Sequence, residues 1–175
     1  MDKIIINSAG HAYYRMFRDL YMISFPVFEQ RTDEQQDDAF SCLNYHLNAY
    51  AEDGCFIGFI SYWEFSDYIY IEHFAINQSL RGKGHGYRIL QRFISEASKM
   101  VLLEIDPITD EVSEARLRFY KRCGFHKNPY PHIHPPYRSG CKGHSLLVLT
   151  TEREITESEY RLFNKELTDV VMRKN

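Results

Sequence analysis

The chain has 175 residues, 44% of them hydrophobic and 26% charged, the balance of one ordinary globular domain large enough to bury a substantial core. A net charge of −3 gives no basic footprint for nucleic acid. No run approaches the roughly 20 apolar residues of a membrane span, and MDKIIINSAGHAYY has three isoleucines where a signal peptide has an apolar core, so a cytoplasmic protein with no membrane partner is expected. Cys42, Cys55, Cys123 and Cys141 are scattered and read as free thiols.

Lys3 to Asn7 is a short first strand. Over His11 to Phe25, Tyr14, Phe17, Tyr21 and Phe25 recur near helical spacing, and Pro26 ends that helix. A second helix opens at Thr32, where Thr32 and Gln35 make a capping box. Its first turns carry Asp33, Glu34, Asp37 and Asp38, either a solvated face or a lure for a cationic amine. Asn48 to Glu52 and Cys55 to Phe65 form a hairpin about Asp53-Gly54.

The apolar strand Tyr68 to Ile76 follows, broken by Glu72 and His73, and then the glycine-rich turn Arg81 to Gly86. Ile89, Leu90, Phe93, Ile94 and Ala97 mark the helix after it, and Met100 to Asp106 another buried strand. A helix over Ala115 to Phe125, a proline-rich segment from Asn128 to Gly140 and a closing strand from Ser145 to Thr151 come next. A capping box at Thr156 and Glu159 starts a last helix with the stripe Tyr160, Phe163, Leu167 and Val170, packed on its own domain. An antiparallel meander followed by a βαβ unit makes this a mixed α/β chain.

The turn Arg81-Gly-Lys-Gly-His-Gly86 carries the first chemical signal. Glycines at every second position let several N–H groups converge, and the helix that follows adds unpaired N–H groups and the positive end of its dipole. That combination suits a phosphate or diphosphate. It is not a P-loop, because Gly84 follows Lys83 where a hydroxyl would be needed. Nor does it fit G-x-G-x-x-G, since Tyr87 occupies the sixth position counted from Gly82. It fits [Q/R]-x-x-G-x-[G/A] at all three specified positions.

In that pattern the turn resembles the pyrophosphate loop of the GNAT N-acetyltransferases. Two further segments resemble the family in order and spacing: Ala115 to Phe125 (ARLRFYKRCGF) and Ser24 to Thr32 (SFPVFEQRT). The resemblance covers most of residues 1 to 151 and implies the GNAT fold: a mostly antiparallel sheet with one splayed parallel pair, flanked by helices. Residues 152 to 175 are then a C-terminal helical extension on the same domain. It implies acetyl-CoA as co-substrate, with the diphosphate on Arg81, Gly82, Lys83, Gly84, His85 and Gly86 and the thioester along Phe74, Ala75 and Ile76. Tyr120 takes the place of the family's tyrosine beside the sulfur, a proton donor; by periodicity alone it is a core residue. Many relatives have an asparagine early in that helix, whereas Asp110 to Ser113 has none, which removes one expected cofactor contact.

For the base that neutralises the acceptor, Glu72 is the first choice, set by strand alternation on the same face as Phe74. A salt bridge to an arginine is the competing explanation for it. Glu104 is the rival, and His73 the weaker option because alternation turns it to the opposite face. The acceptor is a primary amine of a small molecule or peptide, with the Asn128 to Gly140 segment as one wall of its site. The chain would act as a monomer or homodimer. Two other readings stay open: a catalytically idle acyl-CoA sensor, and a zinc-binding interaction protein built on His132, His134, Cys141 and His144. The predominant expectation is an enzyme that needs no metal.

Overall fold

A computed structural model describes residues 1–173. Its strands are β1 (Asp2–Ile5), β2 (Tyr45–Glu52), β3 (Cys55–Glu64), β4 (Tyr68–Ile76), β5 (Met100–Ile105), β6 (Phe125–Lys127), β7 (His132–His134) and β8 (His144–Thr151). The helices are α1 (Tyr14–Ser24), α2 (Asp33–Phe40), α3 (His85–Glu96), α4 (Glu111–Arg122) and α5 (Glu157–Glu166). The strands form one sheet in the order β1-β2-β3-β4-β5-β8-β6, with β7 also on β8. Every pairing is antiparallel except β4 with β5. No helix among the described residues is long and apolar enough to cross a membrane.

Local chemistry places the element ends. Asp53 and Gly54 both take positive φ, 52° and 76°, the two-residue turn whose twist matches a hairpin. Thr32 and Thr156 cap α2 and α5 through the reciprocal bonds their spacing predicts. The first helix starts at Tyr14 and not at His11, because the His11 ring accepts from the Tyr13 N–H and closes a turn there. The segment from Asn128 to Gly140 is not all loop: between its prolines, His132–His134 pairs with β8.

Helices cover both faces of the sheet. On one face Phe17 and Tyr21 of α1 and Phe163 of α5 pack with Phe59, Trp63 and Tyr70. On the other, Ile89, Leu90 and Phe93 of α3 pack with Ile60, Ile71 and Leu103. After α5 the chain continues as a π-helical turn, Leu167–Val171, whose Leu167 and Val171 are also buried. The turn brings the Val171 carbonyl to 2.9 Å from Arg31 Nη2, tying the C-terminal segment to the connection between α1 and α2.

Two irregularities break the regular pairing in the middle of the sheet. The parallel register of β4 and β5 runs only from Tyr68↔Met100 to Ile71↔Leu103, while β4 itself runs on to Ile76. Against β3, Ser61 faces His73 but Tyr62 faces Ile71, so Glu72 is an extra residue, a β-bulge. Near the same end of β4, a Cβ on Gly58 would lie 2.3 Å from the Ala75 carbonyl oxygen, so β3 approaches β4 there as only glycine permits.

Candidate active site

Where β4 and β5 part, a cavity of about 860 Å³ opens. Phe74, Ala75 and Ile76 line one side and the end of β5 the other; Arg81, Gly82, Gly84, His85 and Gly86 lie at one end. Tyr120 and Glu72 also line it. Of the expected site residues only Lys83 stands outside this lining, exposed on the turn.

Gly82 and Gly84 take φ of 77° and 76°, the left-handed conformation that glycine adopts without strain, and Gly84 is the N-cap of α3. Among the described residues nothing accepts from the N–H groups of residues 82 to 87. Nothing lies within 4 Å of where a Cβ would stand on Gly82 or Gly84. The turn is a cradle of free donors at the positive end of a helix, and it fits a diphosphate. Arg81 folds back to bond the Ile76 carbonyl through Nε at 3.3 Å, and Arg88 and Glu52 flank His85. Gly86 is different in kind. A Cβ there would meet Ile76 and Phe119 at ordinary contact distances of 3.5 and 3.6 Å, so the protein's own packing does not require a glycine.

Tyr120 packs edge-on against Phe119 and Phe125 on α4 and β6. Its hydroxyl has no hydrogen-bond partner among the described residues. Burial pushes the phenol up to about 12, so it stays protonated at neutral pH. At the head of the same helix, Asp110 and Ser113 form a capping box, a local structural task for the stretch that lacks the family's asparagine.

The bulge overturns the alternation expected around Glu72. Glu72 and His73 face the same layer, that of Trp63 and Tyr21, while Phe74 packs into the opposite core. An extra residue shifts the phase of everything after it, and no alternation rule applied to the sequence can see it. The Glu72 carboxylate is closed in: it accepts from Arg31 Nη2 at 2.7 Å and Nε at 3.1 Å, Trp63 Nε1 at 2.8 Å and the Tyr137 hydroxyl at 3.0 Å. Its side chain has 0% exposure. Burial opposes its ionisation, but the Arg31 guanidinium prevails and holds its pKa below the usual carboxylate range. His73 is buried beside it, bonded to the Glu29 carbonyl at 3.1 Å and pushed by burial down to about 4, so it is neutral at physiological pH.

Glu104 is also engaged. It accepts from the Tyr70 hydroxyl at 2.5 Å and from His132 Nε2, whose Nδ1 meets Tyr160 at 2.9 Å. Three further residues line the cavity: Glu29, which the sequence marks only as part of a larger segment, and His144 and His134, which it offers only as zinc ligands or as part of the acceptor wall. Glu29 sits on the 3-10 turn Val27–Glu29 after Pro26, His144 starts β8, and His134 ends β7. The signal for Glu29 is present in the FP-x-x-E-x-R segment, but its aim into the cavity depends on how Pro26 redirects the chain. The acidic residues of α2 do not line the cavity, and Asp33 pairs with Arg18 at 2.6 Å. Among the described residues no group of three or more histidine, cysteine or acidic side chains could hold a metal ion.

Residues 12–125 match the model of the acetyltransferase (GNAT) family. The chain belongs to that family. YjbC, a Bacillus subtilis (strain 168) protein classed as an acetyltransferase, is 26% identical over 100 residues, 56% of this chain and 50% of YjbC, so the match spans half of that relative's length. A protein of Bacteroides thetaiotaomicron, classed with the GNAT acetyltransferases, has a solved structure with a TM-score of 0.92 at 28% identity, covering 100% of both chains. A GNAT acetyltransferase of Elizabethkingia anophelis with acetyl-CoA bound has a TM-score of 0.60 at 18% identity, over 87% of this chain and 97% of that one, and shares the fold. In this GNAT chain α5 and the π-helical turn lie beyond the residues that match the family model; Arg31 ties the turn to Glu72, and Tyr160 of α5 reaches Glu104 through His132.

Removing the Glu72 carboxylate strands the Arg31 guanidinium in the interior. We expect Glu72→Ala to cost about 3–5 kcal/mol of unfolding free energy in denaturant titrations, the scale of a broken buried pair.

Proposed function

We propose that this GNAT protein is an N-acetyltransferase that moves an acetyl group from acetyl-CoA to a primary amine of a small molecule or peptide by direct attack. One observation carries the reading: Gly82, Gly84, His85, Gly86 and Tyr87, whose N–H groups have no acceptor among the described residues, line the same cavity as Tyr120, whose hydroxyl is uncommitted. The acetyl-CoA bound to the Elizabethkingia anophelis relative supports the choice of donor.

The thioester supplies an activated acyl carbon, and the chain's task is to hold it and manage protons. The glycine cradle binds the diphosphate and so fixes the register of the remainder along Phe74–Ile76, binding energy that serves positioning and not bond-making. The end of β4 carries main-chain groups with no β5 neighbour, and a backbone N–H aimed at the developing oxyanion is worth about 3 kcal/mol. Tyr120 donates to the departing sulfur. A phenol at about 12 is a weak acid, so it acts first as a hydrogen-bond donor and completes proton transfer as the acylated nitrogen sheds its own proton.

Direct attack requires a neutral nitrogen. An amine with a pKa like that of lysine is neutral in only about one molecule in a thousand at pH 7, so a base is part of the machinery.

Two substitutions separate binding from chemistry. In Gly86→Ala the new methyl fits the protein and helix propensity improves by up to about 1 kcal/mol, yet it stands between Ile76 and Phe119 in the groove. We expect unfolding free energy to hold or rise while calorimetry records acetyl-CoA binding at least ~10-fold weaker, a loss of about 1.4 kcal/mol. Tyr120→Phe should leave that affinity unchanged and lower kcat by about 10²-fold at saturating substrate, the usual scale for a lost proton donor. Retained kcat would remove Tyr120 from the chemistry.

A further inference from the structure

The carboxylates around the cavity differ in what already holds them. Glu72 accepts from Arg31, Trp63 and Tyr137, and Glu104 accepts from Tyr70 and His132; their side chains are 0% and 5% exposed. Asp106 at the end of β5 is in an ion pair with Arg116 of α4. To take a proton, any of these must give up a partner.

Glu29 has no such engagement. Its carboxylate is 21% exposed and accepts no hydrogen bond from any described residue. Oε1 lies 3.5 Å from His144 Nε2, within ion-pair distance but longer than a well-made hydrogen bond. The backbone beneath it is fixed: Pro26 ends α1, the next three residues make a single 3-10 turn, and the Glu29 carbonyl accepts from His73 Nε2. His144 is held edge-on by Phe28 at 5.7 Å and lies 5.5 Å, ring to ring, from His134. The His134 Nδ1–H donates to the Pro135 carbonyl at 2.6 Å, and its buried Nε2 makes no hydrogen bond and faces Glu104 Oε2 at 3.8 Å. This corner of the cavity is therefore rich in proton acceptors and short of donors, the complement of an ammonium group.

We propose that Glu29, backed by His144, takes the proton of the acceptor's ammonium group. The proposal rests on the N-acetyltransferase reading. An N–H bond of the ammonium breaks, its proton forms an O–H bond on Glu29, and the electron pair stays on nitrogen. That pair forms the C–N bond to the acyl carbon as the C–S bond breaks. Tyr120 supplies the proton to sulfur, the second nitrogen proton restores the phenol, and Glu29 returns its proton to solvent through its exposed side.

The charges that face Glu29 suit this task. Burial raises its carboxyl, with Asp106 and Glu104 adding to the effect and Arg116 opposing it, up to about 7. His144 from β8 faces the carboxylate, His73 from β4 bonds the Glu29 main-chain carbonyl, and His134 from β7 lies behind His144; burial keeps both His144 and His73 below the ordinary histidine range. A carboxylate that titrates near neutrality is well matched to proton abstraction at that pH. Below about 7 it is already protonated and cannot accept, so amine turnover should rise as pH increases through that value.

The test measures kcat/KM against pH for the full chain with acetyl-CoA and three ammonium probes (ethylamine, tyramine and spermidine), with hydroxylamine, neutral at physiological pH, as the acceptor that needs no base. Acetyl-CoA affinity is measured in parallel by calorimetry. Glu29→Gln should bind acetyl-CoA as the wild type does and lose about 10²-fold with the ammonium probes at neutral pH. It should lose only a few-fold with hydroxylamine and lack the acidic limb near 7. Glu29→Asp should keep the limb at reduced rate, which separates the proton role from a structural one. Unchanged rates and limb in Glu29→Gln, or an equal loss with hydroxylamine, would overturn the assignment. So would a wild type that binds acetyl-CoA and acylates hydroxylamine but none of the three charged probes, with the acetyltransferase reading left standing. A wild type that does not bind acetyl-CoA would instead overturn that reading.

Discussion

The parallel pairing of β4 with β5 ends at Ile71, and the next residue, Glu72, is inserted as an extra residue in the register of β4 with β3. A bulge bends its strand and increases the local twist, and here it coincides with the place where the parallel neighbours separate. Main-chain polar groups released from a ladder need other partners, and a cavity between two strands gives them access to a ligand. Gly58 contributes from the other side, letting β3 stay close to the end of β4 after the bulge. The site is thus a consequence of one strand that stays paired on its β3 side and is freed on the other.

Charge is distributed around that opening in two ways. Glu72 with Arg31 and Glu104 with His132 and Tyr70 are closed clusters in which nearly every polar atom is engaged. Such clusters add little net stability, but they are costly to break and so hold the surrounding elements in place. Arg31 bonds at once to β4 and to the carbonyl at Val171, so the bulge, the α1–α2 connection and the C-terminal turn form a single unit. Among the described residues the amides of residues 82 to 87, the Tyr120 hydroxyl and the Glu29 carboxylate take part in no hydrogen bond. All three belong to residues that line, or adjoin, one cavity.

The parts of this arrangement that depend on local chain chemistry are legible in the sequence. The alternating glycines around Lys83, the capping residues Thr32 and Thr156, and the Asp53-Gly54 turn each set backbone geometry within a few residues. The phase of β4 is not legible, because a bulge changes which residues share a face without changing their composition. Alternation therefore puts Glu72 and Phe74 together when they lie on opposite faces, and His73 apart from Glu72 when the two are neighbours on one. β7 is hidden for another reason: prolines at 131, 135 and 136 leave only three residues between them, too few for a strand pattern, and its pairing is made with residues ten or more positions away. Glu29 lies in a segment that carries the family resemblance, but its role depends on which other carboxylates are already occupied, a fact that exists only in three dimensions.

The claim on which the rest stands is that the amides of the glycine turn bind a diphosphate. Titrating acetyl-CoA into 15N-labelled protein and following the backbone amides by NMR tests it most directly. The amides of Gly82, Lys83, Gly84, His85, Gly86 and Tyr87 should shift together and saturably, with the largest changes in the protein confined to them and to the end of β4. Saturable shifts located elsewhere, with these six amides unmoved, would contradict it.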